Sequence, residues 1–426
     1  MAYIMSILLF VLLAGIAAGL FLKDFGVKKA GRALRVSRNR ISCRVGEEET
    51  HDWKIFLCIA AICIISRVVM LCVCGSARIF ISDMDFDLKT LCGSWNRMDS
   101  TRYLQIARGG YTATGEYNDI INIAFYPMYP LLVWLVHFLV GSVEAAAPVV
   151  SNLCLVFACC YLYKLVTLDE DESIARRSVL LLLVFPFAFF FSIAFSESTY
   201  FMLCVMCAYY SRKKKWWIAG VCGMFAAFSR TQGILMVVLL SYEYFISAGI
   251  KWANWRETRK NIRIDALAVL LVPLGYVGYL AVNRVVTGSW FGFMKYQSEY
   301  WAQNFGFFAQ NVANLVVSAE SAATAKEAVL GWGTQVVFFF LPLVVLLISY
   351  RKVRTSYFIY TLLYLFISFS PTALLSVPRY VMGAFPLFIM GAKWLKNRYI
   401  CMSAVFISVL LLCIYAVAFT MEWYIY

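Results

Sequence analysis

The first 22 residues, MAYIMSILLFVLLAGIAAGLFL, carry no charge at all. As a helix they extend about 33 Å, enough to cross a hydrocarbon core of ~30 Å. Runs with few or no charges recur along the 426-residue chain, separated by short clusters of Lys and Arg. Backbone N–H and C=O groups find no water inside a bilayer, so such runs must be helices or strands of a closed barrel. These runs are continuous rather than alternating segments of ~10 residues, which argues against a barrel. The fold class is therefore an all-α polytopic membrane protein. Composition agrees, with 62% hydrophobic residues and a mean hydropathy of +0.75, against about 45–50% apolar in soluble domains.

A net charge of +14 would suit a nucleic-acid partner if it formed one patch, but the basic residues are dealt out between apolar spans. Membrane orientation explains that pattern, and nucleic acid is set aside as a partner. Most of the fourteen cysteines lie inside apolar runs and read as small buried hydrophobes. No CxxC pair of pairs occurs, and His51 and His137 are the only histidines. A zinc site, a disulfide framework and a Ser-His-Asp triad are thus disfavoured. No N-x-S/T sequon occurs, which fits a prokaryotic source.

Charge also sets the expected topology. Nine Lys or Arg lie between Lys23 and Lys54, after the first apolar run and not before it. Basic loops stay in the cytoplasm, so residues 1–54 read as an uncleaved anchor helix followed by a basic cytoplasmic segment. The span near 55–79 then delivers residues 80–125 to the outer face. Placing RKKK (212–215), KWANWRETRKNIR (251–263), YRKVR (350–354) and KWLKNR (393–398) inside puts four polar stretches outside. These are SES (196–198), SRTQG (229–233), the loop near 284–330 and SPTALLSVPR (370–379). The run after Pro127 offers about 14 residues, roughly 21 Å, and reads as a partial or re-entrant helix. About 12 crossings result.

This topology gathers Asp83, Asp85, Asp87, Asp99, Glu197, Arg230, Gln232 and Arg379 on one face. Ionisable groups at membrane spans are costly and are candidates for function. Asp99 lies in WNRMDSTRYLQIARGGY (95–111), where a helix from about Met98 to Arg108 would share a face between Asp99, Arg102 and Tyr103. The apolar side of that helix suits the membrane surface. Asp99 reads either as a general base for an acceptor hydroxyl or as an N-terminal helix cap. Arg379 and Arg230 read either as phosphate grips or as interfacial anchors. Glu197 is a second carboxylate or a cap. The alternation Asp83-Met84-Asp85-Phe86-Asp87 lacks EF-hand spacing and reads as a solvated loop. A divalent cation is neither required nor supported. Tyr126, Tyr129, Trp290, Trp301 and Trp332 are interfacial aromatics by default, and rings of this kind can also stack on sugars.

Six segments in order carry a resemblance: WNRMDSTRYLQIARGGY, FYPMYPLL, PFAFFFSIAFSESTY, AAFSRTQGIL, TGSWFGFMKYQSEYW and VPRYVMGAFPLF. Together they resemble the PIG-V family, the GPI mannosyltransferase 2 group and its bacterial relatives, within the GT-C superfamily. The resemblance runs from about 55 to 392 and implies a GT-C-type transmembrane catalytic domain over 55–426, with outer loops near 80–125 and 284–330. Amphipathic juxtamembrane helices would sit in the first of those loops. It implies a polyprenyl-phosphate sugar donor, a glycan or glycolipid acceptor, and a multi-pass protein working among membrane lipids on the extracytoplasmic face. It also implies that Asp99 is the base, with Arg379, Arg230, Glu197, Gln232, Tyr103, Tyr126, Tyr129 and Trp95 around the substrate. No cofactor is required. The family usually has tryptophan directly before the acid, whereas Met98 stands there in this chain and Trp95 lies four residues before Asp99. The competing class is a transporter or flippase of lipid-linked sugars. It would call for midplane polar residues and internal repeats, and no repeat is visible.

Overall fold

The computed structural model describes residues 1–26, 49–82, 93, 95–112 and 120–423. Its helices, in chain order, are α1 (Ala2–Phe25), α2 (Glu49–Ser82), α3 (Asp99–Gly109), α4 (Met128–Val140), α5 (Val143–Thr167) and α6 (Glu172–Leu183). There follow α7 (Glu197–Arg212), α8 (Trp216–Ala227), α9 (Met236–Ser247), α10 (Leu271–Thr287), α11 (Gly292–Trp301) and α12 (Phe308–Glu320). The chain ends with α13 (Thr334–Ser349), α14 (Thr355–Ser368), α15 (Val377–Met382), α16 (Pro386–Trp394) and α17 (Arg398–Thr420). Apart from one isolated bridge between Phe305 and Pro371, the described residues contain no β structure. The protein is an all-α polytopic membrane protein. Its outer surface carries Ile64, Phe80, Leu139, Val285 and Phe406, as expected for a surface solvated by lipid.

Six helices among the described residues are long and apolar enough to cross a membrane: Ala2–Phe25, Trp53–Ile81, Val143–Thr167, Ile264–Thr287, Glu327–Ser349 and Arg398–Thr420. The pair Thr231–Ser247 and Trp252–Asn261, bent by 64°, is a broken span or a re-entrant loop. Three shorter apolar helices, Met128–Val140, Trp216–Ala227 and Thr355–Ser368, accompany them, so the described residues give fewer full-length spans than the 12 crossings expected. Broken helices survive at membrane depth only where protein surrounds them. The break between α6 and α7 meets that condition, because Phe187, Phe189, Phe190, Phe191 and Phe195 are at most 1% exposed. Arg67 of α2 binds the carbonyls freed there, donating to Leu183 O at 2.8 Å and to Ala188 O at 2.9 Å.

The run after Pro127 forms the 13-residue α4, about 20 Å long, shorter than a bilayer core. Gly141 turns it back in the left-handed region at φ 93°, where a side chain would be strained. Ser142 then caps α5, its Oγ accepting from Ala145 N at 3.2 Å. The result is a helical hairpin. Elsewhere the backbones approach closely through glycine. A Cβ on Gly275 would lie 1.9 Å from Met224 O, so α8 and α10 pack in direct contact as small residues allow.

The basic clusters, scattered in sequence, meet at one end of the bundle. Arg354 at the start of α14 grips both oxygens of Glu243 in α9, with Nε–Oε1 3.0 Å and Nη2–Oε2 2.8 Å. Arg212 at the end of α7 donates to Asp169 Oδ1 at 2.7 Å and lies 3.6 Å from Glu243 Oε2. Lys393 of α16 pairs with Glu170, and Lys251 reaches the backbone carbonyl of Asp24. This clustering agrees with the helix directions that charge had implied. The basic segment 27–48 and Asp83, Asp85 and Asp87 lie outside the described residues.

Candidate active site

The other end of the bundle is organised by the segment around Asp99. The turn before α3 is nailed to α17: Trp95 Nε1 donates to Thr420 Oγ1 at 2.9 Å, and Arg97 Nη1 to Phe419 O at 3.1 Å. Ser100 Oγ closes the turn on Trp95 O at 3.2 Å. Held at both sides, Met98 adopts φ 55° and ψ −129°, a conformation that costs a non-glycine residue about 1–3 kcal/mol. The helix then begins at Asp99, and no side chain caps it. The cap reading of Asp99 is therefore corrected, since its carboxylate turns away from the helix to an arginine.

That arginine is Arg379, placed by Pro378 at the first turn of α15. Its Nη2 lies 2.8 Å from Asp99 Oδ2 and 2.9 Å from Glu197 Oε1, and its Nε donates to the same Glu197 oxygen at 3.0 Å. Arg230, in the tight turn between α8 and α9, brings Nη1 to Glu197 Oε1 at 2.8 Å. Gly233 makes the turn this tight, since a Cβ there would meet Ala226 O at 2.1 Å. Two carboxylates and two guanidiniums thus form one neutral cluster drawn from four separate elements. The guanidinium of Arg379 stacks over Phe195 and Phe190, 4.6 and 5.0 Å from their centroids.

The two acids differ in access. Glu197 is 2% exposed at its side chain and its Oε2 has no hydrogen-bond partner among the described residues, whereas Asp99 is 25% exposed. Glu197 was open to reading as a cap, and the structure corrects this: no side chain caps α7, and its carboxylate instead binds two arginines. Burial would lower the pKa of Arg230 and of Arg379, but the Glu197 carboxylate more than offsets it, so both are raised and charged. Among the described residues, Nη1 of Arg379 and Nε and Nη2 of Arg230 have no carboxylate partner.

The predicted aromatic residues fall around this cluster but not in its opening. Tyr103 is buried, with its hydroxyl 2.9 Å from Ser196 Oγ, next to Glu197. Burial pushes its phenol well up, so it serves as a neutral hydrogen-bonding group. Tyr129 is fully buried behind it, bonded to Ala147 O at 3.0 Å and Ser151 Oγ at 2.9 Å. Tyr126 stacks on Tyr279 at 3.9 Å and bonds Thr231 beside Arg230 at 2.9 Å. Gln232 reaches Ser368 Oγ at 3.5 Å. Trp95, Tyr103 and Tyr129 are buried, with their polar atoms bonded inside the protein, and so brace the walls of the cluster. The apolar face of α3 is corrected too: Tyr103, Leu104, Ile106 and Ala107 pack against Phe125, Tyr129, Val133, Ala146 and Ala147, not against lipid. Of the nearby arginines, Arg97 holds α17 and Arg108 pairs with Glu144. Phe190 and Phe195, the floor beneath Arg379, had no signal beyond a phenylalanine run that reads equally well as a span.

Residues 126–277 match the family model described as dolichyl-phosphate-mannose-protein mannosyltransferase. The matched segment is about a third of the chain and includes Glu197 and Arg230. It supports a relationship to GT-C-type mannosyltransferases, and with the membrane fold it supports a multi-pass membrane glycosyltransferase. None of the curated proteins matches the chain.

Proposed function

We propose that the protein transfers mannose from a polyprenyl-phosphate donor to an acceptor hydroxyl on the extracytoplasmic face, as the PIG-V group does, with inversion at the anomeric carbon. The observation that carries this reading is the pairing of an accessible carboxylate, Asp99, with the buried arginines that Glu197 holds in place. In the step itself, Asp99 takes the proton of the acceptor O–H through Oδ1, which accepts no hydrogen bond from the described residues. The acceptor oxygen attacks C1 of the sugar, and the C1–O bond to phosphate breaks with its electron pair going to the phosphate. The unshared N–H groups of Arg379 and Arg230 receive that developing charge. A phosphate drawn onto Arg379 also competes with Asp99 for the guanidinium, leaving the carboxylate freer to meet the acceptor. The donor is already activated as a phosphate ester, so the step draws on no cofactor. The acceptor is a glycan or glycolipid presented at the same face.

Membranes given radiolabelled polyprenyl-phosphate mannose test the reading directly. Transfer by the wild type and its loss in Asp99→Asn, with both proteins present at equal amounts, are expected. Equal transfer by the two removes Asp99 as the base.

A further inference from the structure

A second candidate site lies at the basic end, away from the ion cluster. There α1 and α9 diverge around a groove of about 740 Å³, within the range of ~300–1,000 Å³ typical of ligand sites. Its walls include Phe21 and Phe25 of α1, Val238 and Phe245 of α9, and Trp252 and Trp255 of the segment that follows. Of the ten lining residues, the polar groups are Ser241, the indole N–H groups of Trp252 and Trp255, and the hydroxyl of Tyr242, which donates to Asp24 Oδ2 at 2.6 Å. The groove is therefore apolar along its length and closed by a satisfied polar pair at one wall.

The rim has the opposite character. Beyond α9 the chain bends by 64° into KWANWRETRKNIR, which holds five Lys or Arg and one acid, Glu257. Lys251 sits between the lining residues Ile250 and Trp252, and Arg256 follows the lining residue Trp255. Lys251, Arg256, Arg259, Lys260 and Arg263 are exposed, as are Trp252 and Trp255 at 65% and 44%. Exposed tryptophans beside clustered cations mark the level of lipid headgroups. An apolar groove running from that level toward the bilayer interior, with cations at its mouth, matches one amphiphile in shape and sign. We propose that it holds an anionic glycerophospholipid, acyl chain against Phe21, Phe25 and Val238, phosphate beside Lys251 and Arg256. The bound lipid would wedge α1 to the rest of the bundle, because the groove's two walls belong to α1 and to α9.

Purified full-length protein, titrated with phosphatidylglycerol or with phosphatidylcholine of equal chain length and read by native mass spectrometry, decides the matter. The wild type is expected to retain phosphatidylglycerol about thirtyfold better, the two cations contributing roughly 1 kcal/mol each. Ser241→Trp, which fills the groove, is expected to lose both lipids. Lys251→Glu with Arg256→Glu, at two exposed positions, is expected to abolish the preference, costing phosphatidylglycerol far more than the zwitterionic phosphatidylcholine. Equal retention of the two lipids by the wild type overturns the proposal, as does undiminished phosphatidylglycerol on Ser241→Trp. A polyprenyl phosphate found in the groove by its mass also overturns it. Should Ser241→Trp fail to fold, the double charge reversal alone still decides.

Discussion

The two ends of the bundle each hold two arginines and two carboxylates, and the two clusters are built differently. At the basic end Glu243 has both oxygens bonded, and Arg354 grips it through a fork. Asp169 and Arg212 complete the group, joining the end of α5, the end of α7, α9 and the start of α14. At the other end Glu197 leaves Oε2 unbonded, Asp99 is a quarter exposed, and the backbone before Asp99 is strained. Equal charge is neutralised in both places, but among the described residues only the Asp99 end leaves carboxylate oxygens unbonded. A cluster that saturates its groups stabilises, and one that leaves them unsaturated is poised to bind. The basic end thus reads as a clamp and the Asp99 end as a site.

The sharpest way to break that contrast is to remove one charge from each cluster. Asp99→Asn keeps the size of the side chain and removes the base, so transfer is expected to fall by about 10²–10⁴-fold, measured as labelled sugar per folded molecule. Its melting temperature in detergent should move little, because Asp99 is partly exposed. Glu243→Gln is expected to do the reverse. Breaking a buried ion pair from one side costs about 3–5 kcal/mol, so the variant should melt well below wild type while the folded fraction transfers normally. If Glu243→Gln abolished transfer at unchanged stability, the clamp and the site would have to exchange roles.

Much of the candidate site was legible because charge is scarce in this chain. Asp99, Glu197, Arg230 and Arg379 stood out from apolar surroundings, and topology alone put them on one face. Their contacts were not legible, since nothing in the spacing said that Glu197 would hold two arginines with a single oxygen. Glu243 was missed for a related reason: in SYEYFIS, close to a basic cluster, an acid reads as a flanking charge. The aromatic residues were legible by type but not by placement. Trp95 and Tyr129 have the composition of a sugar platform, but burial decides between platform and brace, and burial depends on packing from distant parts of the chain such as α17. All-α architecture was plain from the apolar runs, whereas helix lengths were not, because the breaks near Pro186 and Arg230 are stabilised by tertiary partners.

A smaller test concerns the braces. Tyr103→Phe deletes only the hydroxyl that meets Ser196, a buried hydrogen bond of about 1 kcal/mol. The expected result is a loss of transfer of several-fold, through a displaced Glu197, with a modest drop in melting temperature. An unchanged rate would confine Tyr103 to the packing of α3.

The smallest effect is expected at Met98, the residue directly before Asp99. At φ 55° and ψ −129° a glycine carries no steric penalty, so Met98→Gly removes strain of about 1–3 kcal/mol. The same change deletes a half-buried side chain packed on the core and frees the unfolded chain, and both effects oppose the gain. The net shift in stability is expected to stay within about 1 kcal/mol, read from thermal melting of the purified variant. Transfer is the more telling readout. If the strained turn holds Asp99 against Arg379, relaxing it lets the carboxylate wander, and the rate falls while stability holds or rises. A variant that is both more stable and fully active would show that the strain is a by-product of anchoring Trp95 to α17, with no part in positioning the base.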